Sequence, residues 1–388
     1  MTRLGDVCEK IGSGATPRGG KEAYKDAGIP IIRSQNIHDW VFQPDGLAFL
    51  DDEQAESLSN VEVRSNDVLL NITGDSVARA CIVPSECIPA RVNQHVAIVR
   101  AGKEINPTYL LASLQSKKTT LLSLASSGAT RNALTKRMIE NLDIDLPSRE
   151  IQDSIAQVLD SIQYKITLNN RLNDYLEQLV DGKFQELFGG LNFNATLSDV
   201  AEITMGQSPA GSSYNEEGAG IIFYQGRGEF GWRFPKRRLY TTEPKRLACE
   251  GDVLMSVRAP VGDLNVAFEN CCIGRGLAAI HSETPSFALY LMRFLKPQLE
   301  AYNGEGTVFG SINGKALKSL EVALPSHNEV MQFESFAAPI DALIRSNENE
   351  TRKLNNLRNY LLPKLMSGEI DVSKVDLTQL TNNHLADC

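Results

Sequence analysis

The chain has 388 residues, 42% of them hydrophobic and 22% charged, with a formal net charge of −9. Such a chain can bury roughly two or three separate cores, and its acidic balance excludes a uniformly basic coat for nucleic acid, so any such role must rest on local patches or on partner subunits. No apolar run approaches a membrane span, Met1-Thr2-Arg3-Leu4-Gly5-Asp6 has no secretory h-region, and seven scattered cysteines without a C-x-x-C spacing read as reduced thiols, so a cytoplasmic chain with no membrane partner is expected.

In chain order, residues 1–147 alternate short β-like runs (Ile29 to Arg33, Val68 to Thr73, His95 to Arg100) with Gly, Pro and Asn turns, and carry one helical segment over Pro107 to Ser126. This predicts a first globular domain of α/β (α+β) class. Residues 148–190 predict a long helix with Ser148 as N-cap and Glu150 in the first turn. It has no proline before the Gly189-Gly190 stop, and about 40 residues would span about 60 Å. Its apolar seam includes Ile162, Ile166, Leu172 and Leu176, with Asn169, Asn170 and Asn173 as buried amides that fix register in coiled-coil fashion.

Residues 191–325 predict a second domain of the same class, with strands near Ile221 to Tyr224, Val253 to Val257 and Leu277 to Ile280. Ser326-His327-Asn328-Glu329 is a capping box that opens a second helix over residues 326–370. Its seam runs through Ile344, Asn347, Leu354, Leu357 and Leu361, and Pro339 and Pro363 are expected to break or kink it. Residues 371–388 read as a loose polar tail. Either the two helices pair and hold the globular blocks apart, or each helix packs on its own domain; the pattern alone permits both.

The two halves repeat one frame. Leu4-Gly5-Asp6-Val7 returns as Leu197-Ser198-Asp199-Val200, Asn66-Asp67-Val68-Leu69-Leu70 as Gly251-Asp252-Val253-Leu254-Met255, and Leu146-Pro147-Ser148 as Leu324-Pro325-Ser326. A period of roughly 180 residues is far too long for a solenoid, so each copy is a domain plus a helix. The middles of the copies are unlike each other, as expected of a protein that binds two related but unequal things.

Self-sufficient catalytic signals are missing. Gly226-Arg227-Gly228-Glu229-Phe230-Gly231 has dinucleotide spacing, but Trp232-Arg233-Phe234-Pro235 follows where a helix N-terminus is needed. Gly310-Ser311-Ile312-Asn313-Gly314-Lys315 falls short of the P-loop spacing, and Ala316 stands where Ser or Thr would hold magnesium. Five isolated histidines predict no metal site. Asn106-Pro107-Thr108-Tyr109 lacks the second proline of the adenine methyltransferase motif and reads as a helix start, with Asn106 as cap.

The strongest chemical signal is Phe223 to Arg246, where Arg227, Arg233, Lys236, Arg237, Arg238, Lys245 and Arg246 outnumber Glu229 and Glu243, with Phe223, Tyr224, Phe230, Trp232 and Phe234 interleaved. Arg and Lys neutralise phosphates, and Arg reads guanine edges; a solvated charged loop is the bland alternative. The first half offers a weaker set in Arg18, Lys21, Arg33, Arg79, Arg91 and Asn93-Gln94-His95. Before each long helix, Gly128 to Leu134 aligns without a gap with Gly306 to Ile312; such polar loops suit contact with DNA or a partner, and equally suit a tight turn that closes the domain.

These residues resemble the specificity (S) subunits of type I restriction–modification systems over nearly the whole chain. The motifs that carry the resemblance are Gly14-Ala15-Thr16-Pro17, Asn71-Ile72-Thr73-Gly74 and Asn93-Gln94-His95-Val96, then Met205-Gly206-Gln207-Ser208-Pro209, Tyr214-Asn215-Glu216-Glu217-Gly218, Ser256 to Asp263, Cys272 to Ala279 and Leu361 to Ile370. The resemblance implies two target-recognition domains related by a pseudo-twofold, each reading half of a split, asymmetric double-stranded DNA site. It implies an antiparallel pair of spacer helices, two docked methyltransferase (M) subunits that bind S-adenosylmethionine, and motor-nuclease (R) subunits as a further partner. This chain itself would hold no cofactor or metal and would catalyse nothing. The DNA-contact candidates are Arg18, Lys21, Arg33, Asn93, Gln94, Arg131 and Asn132 in the first half. In the second they are Gln207, Ser208, Gln225, Arg227, Arg233, Lys236, Arg237, Arg238, Arg258, Asn313 and Lys315. One departure is Asp75 and Ala78, which stand where relatives carry small or Gly-rich residues; Asp75 is expected to accept from a cytosine amine.

Overall fold

The computed structural model describes residues 1–126, 132–304 and 310–372. It divides into two compact units, Met1–Leu168 with Glu350–Cys388, and Asn169–Asn349. The expected limits of the helical stretches fall close to where the helices start and stop, whereas the compact units divide inside them.

The first unit holds a four-stranded antiparallel sheet in the order Cys8–Ser13, Val96–Ala101, Val68–Asn71, Ala80–Ile82. A second sheet runs Ala48–Leu50, Ile29–Ile32, Ala90–Val92, Glu62–Val63, and its central pair is parallel. The strands carry Val, Ile and Leu on both faces because the sheets and the helix Pro107–Ser116 cover them. Leu69 and Ile98 point into the core between the sheets, and Leu70 and Val99 into the core beneath the helix. Asn106 caps that helix, its side-chain oxygen accepting from the Thr108 and Tyr109 amides. The helical segment expected over 107–126 is two helices that meet at Lys117.

The second unit repeats this topology. Its antiparallel sheet is ordered Glu202–Met205, Leu277–His281, Val253–Ser256, Leu264–Val266. Its other sheet is ordered Tyr214–Asn215, Leu239–Thr241, Ile221–Tyr224, Cys271–Ile273, Leu247–Ala248, again with a parallel central pair. Register makes the copies superposable residue by residue: Val68 faces Val99 where Val253 faces Ile280, and Ile32 faces Val92 where Tyr224 faces Ile273. Left-handed backbone recurs as well, at Asn66 and Gly251, and at Ala78 (φ 66°) and Gly262 (φ 90°). The Ala78 departure is thus one strained alanine in a turn that the other copy builds with glycine.

Two helices of 40 residues, Arg149–Phe188 and His327–Met366, account for the long apolar seams. Each core draws on both of them. The first includes Ile155, Leu159, Ile162 and Ile166 with Leu362 and Leu365, and the second Val180, Phe184 and Phe188 with Val330, Phe333 and Ala337. The reading in which each helix packs only on its own domain is thereby excluded. The second helix runs through Pro339 and Pro363 as one element, so neither proline breaks it. Burial of Phe333, Ala337 and Ile344 around Pro339 outweighs a proline penalty of about 3 kcal/mol. Its capping box forms as expected, with Ser326 and Glu329 exchanging hydrogen bonds.

Along the seams Ile162, Ile166, Asn169, Ile344 and Asn347 are buried, and Leu176, Leu354 and Leu361 are half-buried. Leu172 and Leu357 are exposed, which corrects their assignment to the packed face. Within the first unit Arg358 bonds Gln163 at 2.6 Å and Lys165 pairs with Glu350; within the second Asn347 donates to Asn173 at 2.8 Å. Asn170 is exposed. The tail is not loose from its start: Val372 is buried in the first core. Among the described residues no helix is long and apolar enough to cross a membrane.

Candidate nucleic-acid interface

In the second unit five loop segments gather at one end of the two sheets. Gly206 and Gln207 donate to the Leu277 and Ile273 carbonyls, Val257 donates to Gly276, and Ile312 donates to Val257. The Arg275 amide donates to Ser208 Oγ at 3.3 Å. Glycine is required here because the strands approach so closely. A Cβ at Gly206 would lie 2.2 Å from the Gly274 carbonyl, and one at Gly276 would lie 2.8 Å from that of Gln225. The Gly274-Arg275-Gly276 turn therefore presses onto Gln225 and projects a single side chain, Arg275, which is exposed. Arg258 joins through a bridge to Ser311, and Asn313 caps the short helix Gly314–Lys318 by accepting from the Ala316 amide.

The first unit builds the same backbone from other residues. Gly14 and Ala15 donate to Val96 and Val92, Ile72 donates to His95, and Leu134 donates to Ile72. Thr73 bridges Ala133 as Arg258 bridges Ser311. By these hydrogen bonds Gln94 occupies the position of Arg275, Arg33 that of Gln225, Thr73 that of Arg258, and Ala15 and Thr16 those of Gln207 and Ser208. Thr73 Oγ1 bonds His95 Nδ1 at 2.7 Å, which ties two of these loops together. The frame is shared and the exposed chemistry is not: amide, hydroxyl and imidazole in one copy, guanidinium and amide in the other.

The individual candidates divide sharply. Gln207, Gln225, Arg258, Asn313 and Lys315 are exposed, and Ser208 is half-buried, all on or beside this loop cluster. Arg258, Arg275 and Lys315 form no ion pair among the described residues. Gln94 and Asn132 are exposed in the first unit, and Asp75 lies exposed in the loop after Thr73. Asn93 is buried and shapes the turn, its side chain accepting from the His95 amide. Arg33 is committed within its domain: it donates to the Gly46 carbonyl and stacks on Tyr24 at 5.6 Å. Arg91 is buried and donates to the Ala55 carbonyl. Arg18 is exposed, Lys21 lies in the short 3-10 turn Gly20–Ala23, and Arg131 falls outside the described residues.

The basic-aromatic stretch needs the largest correction. Arg233 is only 4% exposed, bonded to Glu177 and Asp341 at 3.1 Å each and to the Tyr290 hydroxyl at 3.1 Å. A guanidinium held in this way is a strut of the fold and is not available to DNA. Arg227 pairs with Asp263 at 2.7 Å, Arg237 with Glu269 at 2.5 Å, and Arg238 with buried Glu229 at 2.9 Å. Arg227, Arg233 and Arg237 are neutralised by carboxylates from distant sequence and Arg238 by Glu229 of the same stretch, whereas Lys236, Lys245 and Arg246 remain exposed and unpaired among the described residues. Phe223, Tyr224 and Phe234 are buried core, leaving Trp232 as the exposed aromatic.

Arg275 was the residue that sequence patterning undervalued, because a lone arginine between glycines carries no charge density. The family model described as "Type I restriction modification DNA specificity domain" matches residues 1–178 and 194–359. A Methanocaldococcus jannaschii protein provisionally named type I restriction enzyme MjaX specificity subunit is 29% identical over 96% of this chain and 93% of its own. The MjaIX specificity subunit of the same organism is 21% identical over 97% and 94%. A crystal structure of the type I restriction–modification S subunit from M. genitalium shares the fold with a TM-score of 0.60, at 14% identity over 94% of this chain and 95% of that one.

Proposed function

Since this chain belongs to the type I restriction modification DNA specificity family, we propose that it is the DNA-reading subunit of such a complex. It recognises a bipartite, asymmetric double-stranded site and directs adenine methylation and restriction by partner subunits. The observation that carries this reading is the duplicated loop cluster: one backbone frame with Gln94, His95 and Thr73 in the first unit and Arg275, Arg258 and Gln225 in the second. Two readers with unlike side chains specify unlike half-sites, since amides favour adenine and guanidinium favours guanine in the major groove. Lys315, Arg18 and Lys236 suit phosphates and set orientation without carrying sequence information.

The chain reads and does not itself catalyse. S-adenosylmethionine is bound by the methyltransferase partners, of which two are expected from the duplication, and motor-nuclease subunits join for cleavage. Support for docking on the spacer comes from the first long helix, where Tyr164, Leu168, Leu172, Tyr175 and Leu179 recur at three- and four-residue spacing and are all exposed. A solvent-facing apolar stripe of this length fits a surface covered in an assembly. Partner subunits would also supply phosphate contacts that a chain of net charge −9 lacks.

Mapping modified bases in DNA from cells that express this chain with its methyltransferase partner tests the reading. The expected result is N6-methyladenine in one motif of two unequal halves separated by unspecified bases. A continuous or palindromic motif, or methylation that persists without this chain, would overturn it.

A further inference from the structure

We propose that Cys249, Asp252 and His281 form a zinc-class divalent metal site in the second domain. Their donor atoms lie within 4.8 Å of one another, although the histidines are isolated in sequence. The fold brings them together. Cys249 and Asp252 flank the turn that opens the strand Val253–Ser256, and His281 ends the neighbouring strand Leu277–His281. Asp252 is buried, with Oδ2 accepting from the Cys249 amide at 2.7 Å and Oδ1 at 2.6 Å from His281 Nδ1. The backbone bond to Oδ2 orients the carboxylate, the kind of outer support that ligating carboxylates usually have, and Oδ1 is the oxygen a metal would take in place of its hydrogen bond with His281.

The first domain shows what this corner otherwise contains. Asp67 stands at the position of Asp252, is likewise buried, and likewise accepts the amide of the residue three before it, Arg64. Its charge is met by Arg100, bonded at 2.7 and 2.8 Å, which holds the register position of His281. Lys10 faces Arg100 across the sheet, whereas Glu202 faces His281. Arg100, which meets the buried carboxylate, is thus replaced by His281, and at the neighbouring positions Lys10 gives way to Glu202 and Arg64, itself paired with Glu9 at 3.6 Å, to Cys249. The replacements remove the permanent positive charge and supply a thiol and an imidazole. A bound dication restores that charge with ligands borderline metals prefer.

Zinc would take Cys249 as thiolate, His281 through Nδ1 as neutral imidazole with its proton on Nε2, and Asp252 Oδ1; the thiol proton passes to solvent, and the Nδ1 proton now shared with Asp252 moves to Nε2, or to solvent where the ring starts as imidazolium. Both Cys249 and His281 are exposed, so water completes a four-coordinate shell. Bound there, the metal pins the turn to the neighbouring strand, as the Asp67–Arg100 pair does in the first domain.

The test is a zinc titration of the full-length, reduced, chelator-treated chain at pH 8 in competition with a chromogenic chelator, repeated with cobalt(II). One equivalent of zinc and a thiolate-to-cobalt charge-transfer band are expected. Cys249→Ser should weaken zinc by about tenfold or more and abolish the band. His281→Arg, which repeats the pairing of the first domain, should fold with an unchanged Tm and lose the zinc. Substoichiometric zinc in the unmodified chain, or zinc held at undiminished affinity in either variant, overturns the proposal.

Discussion

Arg233 commits its guanidinium to Glu177, Asp341 and the Tyr290 hydroxyl, and it lies over the Tyr290 and Trp232 rings at 5.6 Å each. Burial works against its charge, but Tyr290, Asp341 and Glu177 more than offset that and hold its pKa above the ordinary arginine value. Arg233→Ala leaves two carboxylates short of a partner. Glu177 keeps Arg293 at 3.0 Å and both acids retain some solvent, so the cost falls at the low end of the range for a broken buried pair, about 3 kcal/mol. Urea unfolding should register this loss while the methylated motif stays the same; a relaxed half-site with undiminished stability would return Arg233 to the interface. The stretch from Phe223 to Arg246 illustrates what sequence could and could not tell. Its cations were legible, but Asp263, Glu269, Glu177 and Asp341, which neutralise them, lie far off in the chain. Charge counted along a window says nothing of charge summed in space.

At the scale of elements, the long helices were the most legible part of the chain, because three- and four-residue spacing persists over dozens of residues and is bounded by Ser148, Gly189 and the Ser326 capping box. The exposure of Leu172 and Leu357 was not legible, since an apolar residue on a periodic pattern does not say whether its cover is this chain or another. The buried amides behave as a unit: Asn347 donates to Asn173, and Asn173 donates in turn to Glu348 at 3.4 Å. Asn347→Leu alone strands the Asn173 oxygen and should cost about 1–3 kcal/mol. Joining it to Asn173→Leu should cost less than the two single changes added, by about 0.5 kcal/mol or more in a double-mutant cycle. Strict additivity would mean that the pair does not couple. Deleting one turn from the first long helix is expected to change the number of unspecified bases between the half-sites and leave both halves readable. An unaltered spacer in the mapped motif would show that the helix is no ruler.

For the whole molecule, the repeat visible in Leu4 to Val7 and Leu197 to Val200, and in Asp67 and Asp252, extends to strand order, register and left-handed turns. The frame was legible because glycine, Asx turns and strand ends recur under hard steric limits. The readers were less so, because loops at the ends of strands face few such limits and diverge freely. Only the paired hydrogen bonds align Gln94 with Arg275 and Thr73 with Arg258. The central claim is that one frame presents two unequal readers, each responsible for one half of the site. Motif mapping of two single variants, Gln94→Ala and Arg275→Ala, tests it most directly. Each is expected to relax a different half of the methylated motif, with a loss of about 1–3 kcal/mol for a direct base contact, while the other half keeps its sequence. Both variants relaxing the same half, or neither altering the motif, would contradict it.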